Sequence, residues 1–478
     1  MNIQALQTQV PFPEVIPASP LSSPNGGPVK ARNDLNARFR DRICVNTAIS
    51  RKLVSYQGNK YVAGLRWLKY KEGFSTELVA SLLDNIRGSR VLDPFSGIGT
   101  TALTSGARRM AATGIEIMPV GNLAAKAISC GANAVNQQEF AAAASALLSH
   151  ISRGNRGLDF PHLRITEGAF PGNTESELAR ARSYLKQMDD CNLKVMLELA
   201  CVSVLEEVSY TRKDGQYLRW DPRSGRTAST RLNKGDIPTL KTALTRKAHE
   251  IITDLPAVAQ RFQGRAPRFI DGSSLDELRK QPSASFDTVI TSPPYANRYD
   301  YTRTYALELA WLGYSNEDLK KLRQELLSAT VENHSKRNKL TRSYAGSPLP
   351  ERAFKLVDEQ DALNEALGIL RDHVKELGNR HVIRLIENYF SEMAVIICEL
   401  ARLVEPGGQV FMVNDNVRYH GEEIPVDLVL SDFAEQLGFQ CVVIWTLKRG
   451  KGNSSQQMGR FGRQEIRKCV YHWVRTHD

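Results

Sequence analysis

Apolar and polar positions follow two different periods along the chain. Apolar residues recur at helical spacing over 74–86, with a Ser-Thr pair suited to N-capping near its start. A short apolar run over 90–93 then enters a glycine-containing turn, and a further helix and strand are predicted over 100–108 and 111–117. A strand, a helix and a second strand in this order form a β-α-β unit with parallel strands. The pattern therefore predicts an α/β fold.

Strand-like runs return in the second half of the chain, separated by long helical stretches. The predicted elements are strands over 267–271, 286–290 and 409–413, a helix over 424–437, and strands over 440–447 and 468–474. The last two strands are close in sequence, which favours an antiparallel pair at one edge of the sheet. We expect one doubly wound sheet that is interrupted by two helical insertions.

Composition and pattern together divide the chain into segments. Six prolines with interspersed Ser and Gly lie in the first 34 residues, a composition that predicts a disordered arm. The predicted segments are an arm over 1–34, the first part of the core over 35–120, a helical insertion over 121–265, a strand and loop of the core over 266–300, a second helical insertion over 301–385, and the rest of the core over 386–478.

The overall composition is that of a folded protein. Hydrophobic residues make up 42% and charged residues 24% of the 478 residues, which excludes a mainly disordered chain, a collagen-like fibre and a disulfide scaffold. The seven cysteines form no C-x-x-C pair, so we expect free thiols in a reducing cytoplasm and no metal site. We find neither a signal peptide nor an apolar run long enough to cross a membrane.

The net charge of +11 is concentrated in two segments. Residues 211–250 carry ten basic and four acidic residues, and residues 448–468 carry seven basic residues and one acidic residue. Arg and Lys among Gly, Ser and Asn suit phosphate contact, although two solvated loops would have the same composition. The candidate nucleic-acid contacts are Arg212, Lys213, Arg219, Lys448, Arg449 and Lys451.

The turn after strand 90–93 is the first candidate for chemistry. It runs from Asp93 to Ala102 (DPFSGIGTTA), where Gly97 and Gly99 permit a sharp turn and the next helix offers free N–H groups to a ligand. Glu116 ends the following strand and can accept hydrogen bonds from both hydroxyls of a ribose. These residues also satisfy the dinucleotide fingerprint, so the turn alone leaves a nicotinamide cofactor open.

The residues Asp93 and Pro94 distinguish a dinucleotide cofactor from a nucleoside cofactor that has no phosphate. A carboxylate at the end of the strand would repel a pyrophosphate, whereas it suits the ammonium and sulfonium groups of S-adenosylmethionine. Asp271, at the end of the predicted strand 267–271, is placed to accept from an adenine amino group. The turn therefore favours S-adenosylmethionine over NAD.

A second motif, Thr291 to Tyr295 (TSPPY), directly follows strand 286–290. An exocyclic amine of a base is a weak nucleophile because its lone pair is delocalised into the ring. Acceptors at the Ser292 oxygen and the Pro293 carbonyl would draw that nitrogen toward a tetrahedral geometry, and two successive prolines hold the backbone fixed. Tyr295 offers a face for a base that has left the helix. This chemistry requires no covalent intermediate and no catalytic cysteine.

The motif resembles that of the amino-methyltransferases of DNA, and its Ser-Pro-Pro-Tyr form resembles the cytosine-N4 members. The segment 66–75 and the Glu-Pro-Gly-Gly turn at 405–408 are also similar to this family. The resemblance implies a seven-strand sheet with a terminal antiparallel hairpin. The expected catalytic residues are Ser292, Pro293, Pro294 and Tyr295, and the expected cofactor contacts are Phe74, Ser75, Asp93, Phe95, Gly97, Gly99, Thr100, Glu116 and Asp271.

The resemblance implies transfer of a methyl group from S-adenosylmethionine to cytosine N4 in duplex DNA. It also implies a restriction–modification system with a separate cognate endonuclease. Residues 205–250 are the predicted nucleic-acid contact, and Tyr299, Asp300 and Tyr301 are candidates for the base pocket. Adenine-N6 methylation, RNA base methylation, a nucleic-acid-binding protein without activity and a nicotinamide oxidoreductase are the alternatives.

Overall fold

The computed structural model describes residues 23–84, 86, 88–153, 157–215, 217–226, 232–448, 461 and 466–476. The strands are β1 (Ile43–Val45), β2 (Arg90–Asp93), β3 (Ala111–Glu116), β4 (Thr211–Asp214), β5 (Tyr217–Trp220), β6 (Arg268–Asp271), β7 (Phe286–Thr291), β8 (Val404–Asp415), β9 (Val417–Tyr419), β10 (Glu422–Ile424), β11 (Phe439–Thr446) and β12 (Lys468–Arg475).

Helices fill most of the sequence between the strands. They are α1 (Lys30–Phe39), α2 (Thr76–Leu83), α3 (Thr100–Ala107), α4 (Pro119–Asn133), α5 (Gln137–Arg153), α6 (Gly172–Gln187), α7 (Asn192–Val204), α8 (Leu240–Phe262), α9 (Ser274–Glu277), α10 (Tyr301–Thr304), α11 (Ala306–Trp311), α12 (Asn316–Glu325), α13 (Arg337–Ser343), α14 (Leu349–Asp358), α15 (Asp361–Asp372), α16 (Val382–Leu403) and α17 (Val426–Gln436). Short 3-10 helices cover Arg40–Arg42, Tyr56–Gly58, Pro222–Ser224 and Leu278–Lys280.

The main sheet has eight strands in the order β1-β11-β12-β8-β7-β2-β3-β6. Within it β12 runs antiparallel to both its neighbours, and the other pairs are parallel. The predicted pairing of β11 with β12 is confirmed. The seven-strand count and the edge position of this pair are wrong, because β1 adds a parallel strand outside β11 from Ile43 to Val45. Three residues are too few to show a strand period in the sequence.

Both faces of the sheet are covered, as expected for a doubly wound fold. Successive residues of β2 and β7 belong to different cores: Leu92 and Val289 pack in one core with residues of α16 and α17, whereas Val91 and Ile290 pack in another with residues of α2. Strands that are buried on both faces have apolar residues at successive positions, as Val91 and Leu92 of β2 and Val289 and Ile290 of β7 do.

The strand order places a topological switch point between β2 and β7. From β2 the chain proceeds outward to β3 and β6, and it then returns to the other side of β2 to form β7 and β8. Helices that follow the two strands therefore leave in different directions. A crevice opens at the carboxyl ends of strands at such a point, and ligands of open α/β sheets bind there.

A small hairpin interrupts the helices between β3 and β6. Strands β4 and β5 form an antiparallel pair that is separate from the main sheet, and residues of α4 to α8 pack around their own hydrophobic core. The sequence pattern predicts helices and a basic segment here, but no strands. Neither strand shows a strand period in the sequence, because β4 (TRKD) has no apolar side chain and β5 (YLRW) does not alternate.

Residues 23–34 are not part of a disordered arm. Asn25 donates to the backbone oxygen of His420 and to Glu422, and Arg32 is fully buried in ion pairs with Glu365 and Glu422, both at 2.9 Å. These partners lie more than three hundred residues away, so a composition-based prediction has no access to them. Residues 1–22 lie outside the described residues.

The described helices include none that is both long and apolar enough for a membrane crossing. All seven cysteines are described, and each is a free thiol, as expected.

Candidate active site

The ends of β2 and β7 are joined by a hydrogen bond between the two predicted motifs. Asp93 is 2% exposed, and its Oδ1 accepts from the Thr291 hydroxyl at 2.7 Å and from the Phe95 N–H at 3.1 Å. Burial raises the pKa of Asp93 to about 6, which these hydrogen bonds limit. The carboxylate therefore holds the cofactor turn and the catalytic loop together, a structural role in addition to the expected contact with a ligand.

The glycine turn has a shape that only glycine supports. Gly97 and Gly99 have φ angles of +52° and +82°. A Cβ atom on Gly97 would lie 3.1 Å from Cε1 of Tyr70, and one on Gly99 would lie 3.0 Å from Ala125 and Phe269. The backbone of the turn thus lies so close to Tyr70, Ala125 and Phe269 that a side chain at either glycine would displace them.

Glu116 closes the same turn from β3. Its Oε2 accepts from the Gly97 N–H at 2.6 Å and its Oε1 from the Met118 N–H at 2.7 Å. Burial is the main reason that the pKa of Glu116 rises to about 7. A carboxylate has about four acceptor sites, so both oxygens keep capacity for the hydroxyl groups of a ligand.

Two adjoining cavities lie at the carboxyl ends of these strands. The larger covers about 570 Å³ of space, part of it open to solvent, and it is lined by Tyr70, Glu72, Pro94, Phe95, Gly97, Ile115, Glu116, Ile117, Met118, Ser273, Ser274, Leu275, Ser292, Pro294, Tyr301, Leu326 and Leu327. The smaller covers about 380 Å³, also partly open to solvent, and it is lined by Tyr56, Asn59, Tyr70, Glu72, Gly73, Phe74, Asp93, Phe95, Ser96, Ile98, Thr100 and Ser292. Tyr70, Glu72, Phe95 and Ser292 belong to both, so the cavities share a wall.

The charge of this paired cavity is negative. Glu72, Asp93 and Glu116 line it, and no Lys, Arg or His is among its described lining residues. Such a lining favours a ligand with positive charge and disfavours a pyrophosphate. The geometry therefore supports the distinction that Asp93 and Pro94 make in the sequence.

Two residues of the catalytic motif, Ser292 and Pro294, line the paired cavity. Ser292 lies on the shared wall with its hydroxyl 3.4 Å from that of Tyr295, and Pro294 lines the larger cavity. Pro293 is buried. Tyr295 is half-buried behind Ser292 rather than among the lining residues, and burial raises the pKa of its phenol. Ser292 is thus the residue of the motif that faces both cavities.

Curated relatives cover nearly all of the chain. It is 42% identical over 449 residues to the type II methyltransferase M.BsoBI of Geobacillus stearothermophilus, over 89% of this chain and 88% of the relative. It is 39% identical over 452 residues, 92% of both chains, to the type II methyltransferases M.AvaI of Nostoc sp. and of Anabaena variabilis. The chain belongs to the type II methyltransferases. No protein-family model and no solved structure matches it.

A type II methyltransferase is a DNA-modifying enzyme of a restriction–modification system, and its methyl donor is S-adenosylmethionine. The paired cavity fits this donor, because it combines three carboxylates with a turn that holds backbone close to a ligand. Ser96 also lines the smaller cavity, and its buried hydroxyl has no hydrogen-bond partner among the described residues. The family excludes the nicotinamide oxidoreductase.

The other predicted cofactor contacts of this methyltransferase have different positions. Phe74, Phe95 and Thr100 line the smaller cavity. Ser75 is fully buried and caps α2, since its hydroxyl accepts from the Leu78 N–H at 3.1 Å, so its side chain serves the helix. Asp271 is exposed, accepts from Asn122 at 3.0 Å and lines neither cavity, so its adenine contact stays a prediction.

Sequence reasoning missed Glu72 and Asn59. Glu72 lines both cavities and accepts from the hydroxyls of Tyr299 and Tyr305. Asn59 donates to the Phe74 carbonyl at 2.8 Å and accepts from the Thr76 N–H at 3.0 Å, which fixes the wall of the smaller cavity. Asn59 lies outside every predicted motif, and Glu72 lies in the segment 66–75, of which only Phe74 and Ser75 were predicted as contacts.

The candidates for the base pocket divide into two groups. Tyr301 lines the larger cavity, and the ring of Tyr299 contacts it edge-on at 4.8 Å between centroids. Asp300 is buried, caps α10 and pairs with Arg323 at 3.2 Å. Asp300 therefore holds the backbone of this segment, and it lines neither of the two cavities.

The predicted DNA contacts are also divided by the structure. Lys213 is 3% exposed and pairs with Glu308, so it is not a surface contact and that prediction is wrong. Arg212 is exposed, and Arg219 is partly exposed with an ion pair to Asp214. Lys448 is exposed. Arg449 and Lys451 lie outside the described residues.

One group of side chains among the described residues has the spacing of metal ligands. The ligand atoms of His373, Glu376 and His420 lie within 4.8 Å of one another, with Glu376 contacting both rings. None of the three lines the paired cavity. The sequence-based expectation that no metal is bound stays a prediction.

Proposed function

We propose that this type II methyltransferase modifies the N4 amino group of cytosine in duplex DNA. The observation that carries the proposal is the position of Ser292 on the wall shared by two cavities at the switch point of the sheet. The cytosine assignment rests on the Ser-Pro-Pro-Tyr form of the motif, which resembles the cytosine-N4 members.

The motif residues prepare the amine for attack. The Ser292 hydroxyl oxygen and the Pro293 carbonyl accept from the two N–H groups of the amine, and Pro293 and Pro294 fix the backbone between them. Tyr295, which is half-buried beside Ser292, limits the movement of that serine and supports the base. Most of the rate acceleration then comes from orientation and fixed dipoles.

The residues in and around the glycine turn hold the methyl donor, which supplies an electrophilic sulfonium methyl group when it is bound. Glu116 accepts from the ribose hydroxyls, Asp93 and Glu72 provide the negative field for the cationic end, and Asp271 accepts from the adenine amino group. The cleft excludes phosphate-bearing cofactors by charge. Asp93 also keeps the donor turn next to the catalytic loop through Thr291.

The base is tested by digesting DNA from cells that express the protein and separating the nucleosides by mass spectrometry. We expect N4-methylcytosine with the active protein and much less of it with the Ser292→Ala variant. N6-methyladenine as the sole product would contradict the cytosine assignment while leaving the methyltransferase assignment intact.

The nucleic acid is tested separately by measuring methyl transfer from labelled donor to plasmid DNA and to total RNA. We expect transfer to duplex DNA, and transfer to RNA alone would contradict the proposal. Long-read sequencing of the modified DNA gives the sequence context. A restriction endonuclease that cuts the same context would be the separately acting partner.

A further inference from the structure

The hairpin formed by β4 and β5 has one buried and one exposed face. Lys213 and Leu218, which are opposite each other, are buried, whereas Arg212, Asp214 and Tyr217 are exposed. This alternation is that of a half-buried sheet. The hairpin is separate from the main sheet, so its outer face is not explained by the core fold.

The inner face is fixed beside the paired cavity. The Lys213 ammonium lies 2.5 Å from Glu308 and 4.1 Å from the centre of the Tyr305 ring. The Tyr305 hydroxyl donates to Glu72, which lines both cavities. The buried ion pair with Glu308 and the contact with the Tyr305 ring together hold strand β4 in one position. Lys213 is therefore a positioning residue for the hairpin.

The second strand of the hairpin contacts the helix that follows the catalytic motif. β5 packs against α10, the helix that begins at the lining residue Tyr301. Through Lys213 and through β5, both strands of the hairpin thus contact the segment that follows the catalytic motif.

The outer face has features that an anionic partner would stabilise. Arg212 and Arg219 are direct cross-strand partners, and like charges in that position repel. Asp214, at 2.7 Å from Arg219, offsets only part of this charge. Tyr217 is 51% exposed, one of few large hydrophobic side chains in the described chain with such exposure.

We propose that this outer face binds duplex DNA beside the target base. Arg212 and Arg219 contact phosphates, and Tyr217 packs against the bases next to the target and fills the space that the target leaves on entering the cavity. A base that leaves the stack costs stacking and pairing energy, and an inserted side chain recovers part of it. The inference rests on the proposed duplex substrate but not on the choice of cytosine.

The phosphate contacts are tested with Arg212→Ala and with the control Lys320→Ala, which removes an exposed lysine on α12. The probe is a short duplex of arbitrary sequence, and its affinity is measured over a range of salt concentrations. We expect Arg212→Ala to weaken binding and to reduce the slope of log K against log salt by about 1, with Lys320→Ala unchanged. An unchanged slope for Arg212→Ala would overturn the phosphate contact.

The base contact is tested with Tyr217→Ala, with Tyr217→Phe as the conservative variant and with Tyr61→Ala as the control, because Tyr61 is 77% exposed elsewhere on the surface. The probe is a duplex that contains the position the protein methylates. We expect Tyr217→Ala to weaken binding about 5- to 100-fold, and Tyr217→Phe to retain most of the affinity.

A second duplex, in which the target base lacks its pairing partner, separates this role from a structural one. If Tyr217 offsets the cost of removing the base, its loss should matter much less when that cost is already absent. An equal loss on both duplexes, or no loss on either, would overturn the inference. Cofactor affinity, measured by calorimetry, should be unchanged in all variants.

Failure of the inference is distinguishable from failure of the proposed function. If the unaltered protein neither binds nor methylates duplex DNA, the proposed substrate is wrong. If it does both and the hairpin variants behave as the unaltered protein does, only the assignment of the hairpin is wrong.

Discussion

Glu116 makes the affinity for the methyl donor depend on pH. Its carboxylate is 9% exposed, and burial raises its pKa to about 7. A ligand that brings positive charge and hydroxyl donors binds the ionised carboxylate better than the neutral acid. At pH 6 most of Glu116 is protonated and must release its proton on binding, whereas at pH 8 it is already ionised. The affinity should therefore rise with pH across this window.

The size of the effect follows from the ionised fraction. A group with a pKa of about 7 is about one tenth ionised at pH 6 and about nine tenths ionised at pH 8, so Kd should fall about tenfold between them. Asp93, with a pKa raised to about 6, adds a factor of about 2 over the same range if the donor prefers it ionised. The two contributions have the same sign.

The assay is calorimetric titration with S-adenosylmethionine at pH 6, 7 and 8 in buffers with different ionisation enthalpies, which also gives the number of protons released. Glu116→Gln should bind more weakly at pH 8 and lose most of the dependence on pH. The matched control Glu317→Gln, at an exposed position on α12, should keep the full dependence. A constant Kd in the unaltered protein, or the same tenfold change in Glu116→Gln, would refute the reasoning.

Three further substitutions test other parts of the site. Ser292→Ala should lower single-turnover methyl transfer about 100-fold or more, while donor affinity measured by calorimetry stays within a factor of about 3. Gly97→Ala should weaken donor binding about tenfold in the same assay, because its φ of +52° disfavours a side chain and its Cβ would press on Tyr70 at 3.1 Å. Lys213→Met should reduce the free energy of unfolding in urea by about 3–5 kcal/mol because it leaves Glu308 buried without its partner, and the double variant with Glu308→Leu should recover most of that loss.

Local patterns were sufficient to predict the centre of the fold. Strand β2, the glycine turn and strand β3 are contiguous in sequence, and their chemistry requires glycine at two positions and a carboxylate at a third. The TSPPY motif begins at Thr291, the last residue of β7, so it must lie at the same edge of a parallel sheet as Asp93. What the motifs could not provide was the hydrogen bond between Asp93 and Thr291, which depends on the two strands being direct neighbours.

The prediction of which basic residues are exposed was limited by contacts between segments that are distant in the sequence. In the sequence, Lys213 is one of ten basic residues in a charged segment. In the structure it is buried and pairs with Glu308, which is 95 residues away along the chain. Lys234, in the same segment, donates to the backbone carbonyls of Ser209 and Thr211 at 2.8 and 2.9 Å. A count of charges does not distinguish such inward-facing residues from Arg212, which is exposed, so it overestimated the surface available to DNA.

The protein is basic as a whole, but its catalytic cleft is acidic. The net charge is +11, but the residues that line the paired cavity include three carboxylates and, as described, no basic side chain. The donor is a small cation and the DNA is a polyanion, so one protein must present opposite fields to its two substrates within a short distance. In the proposed binding mode the hairpin meets both requirements, because strand β4 directs Lys213 inward, where Glu308 neutralises it, and Arg212 outward. Of two successive residues of one strand, one is thus neutralised inside the protein and the other carries its positive charge at the surface.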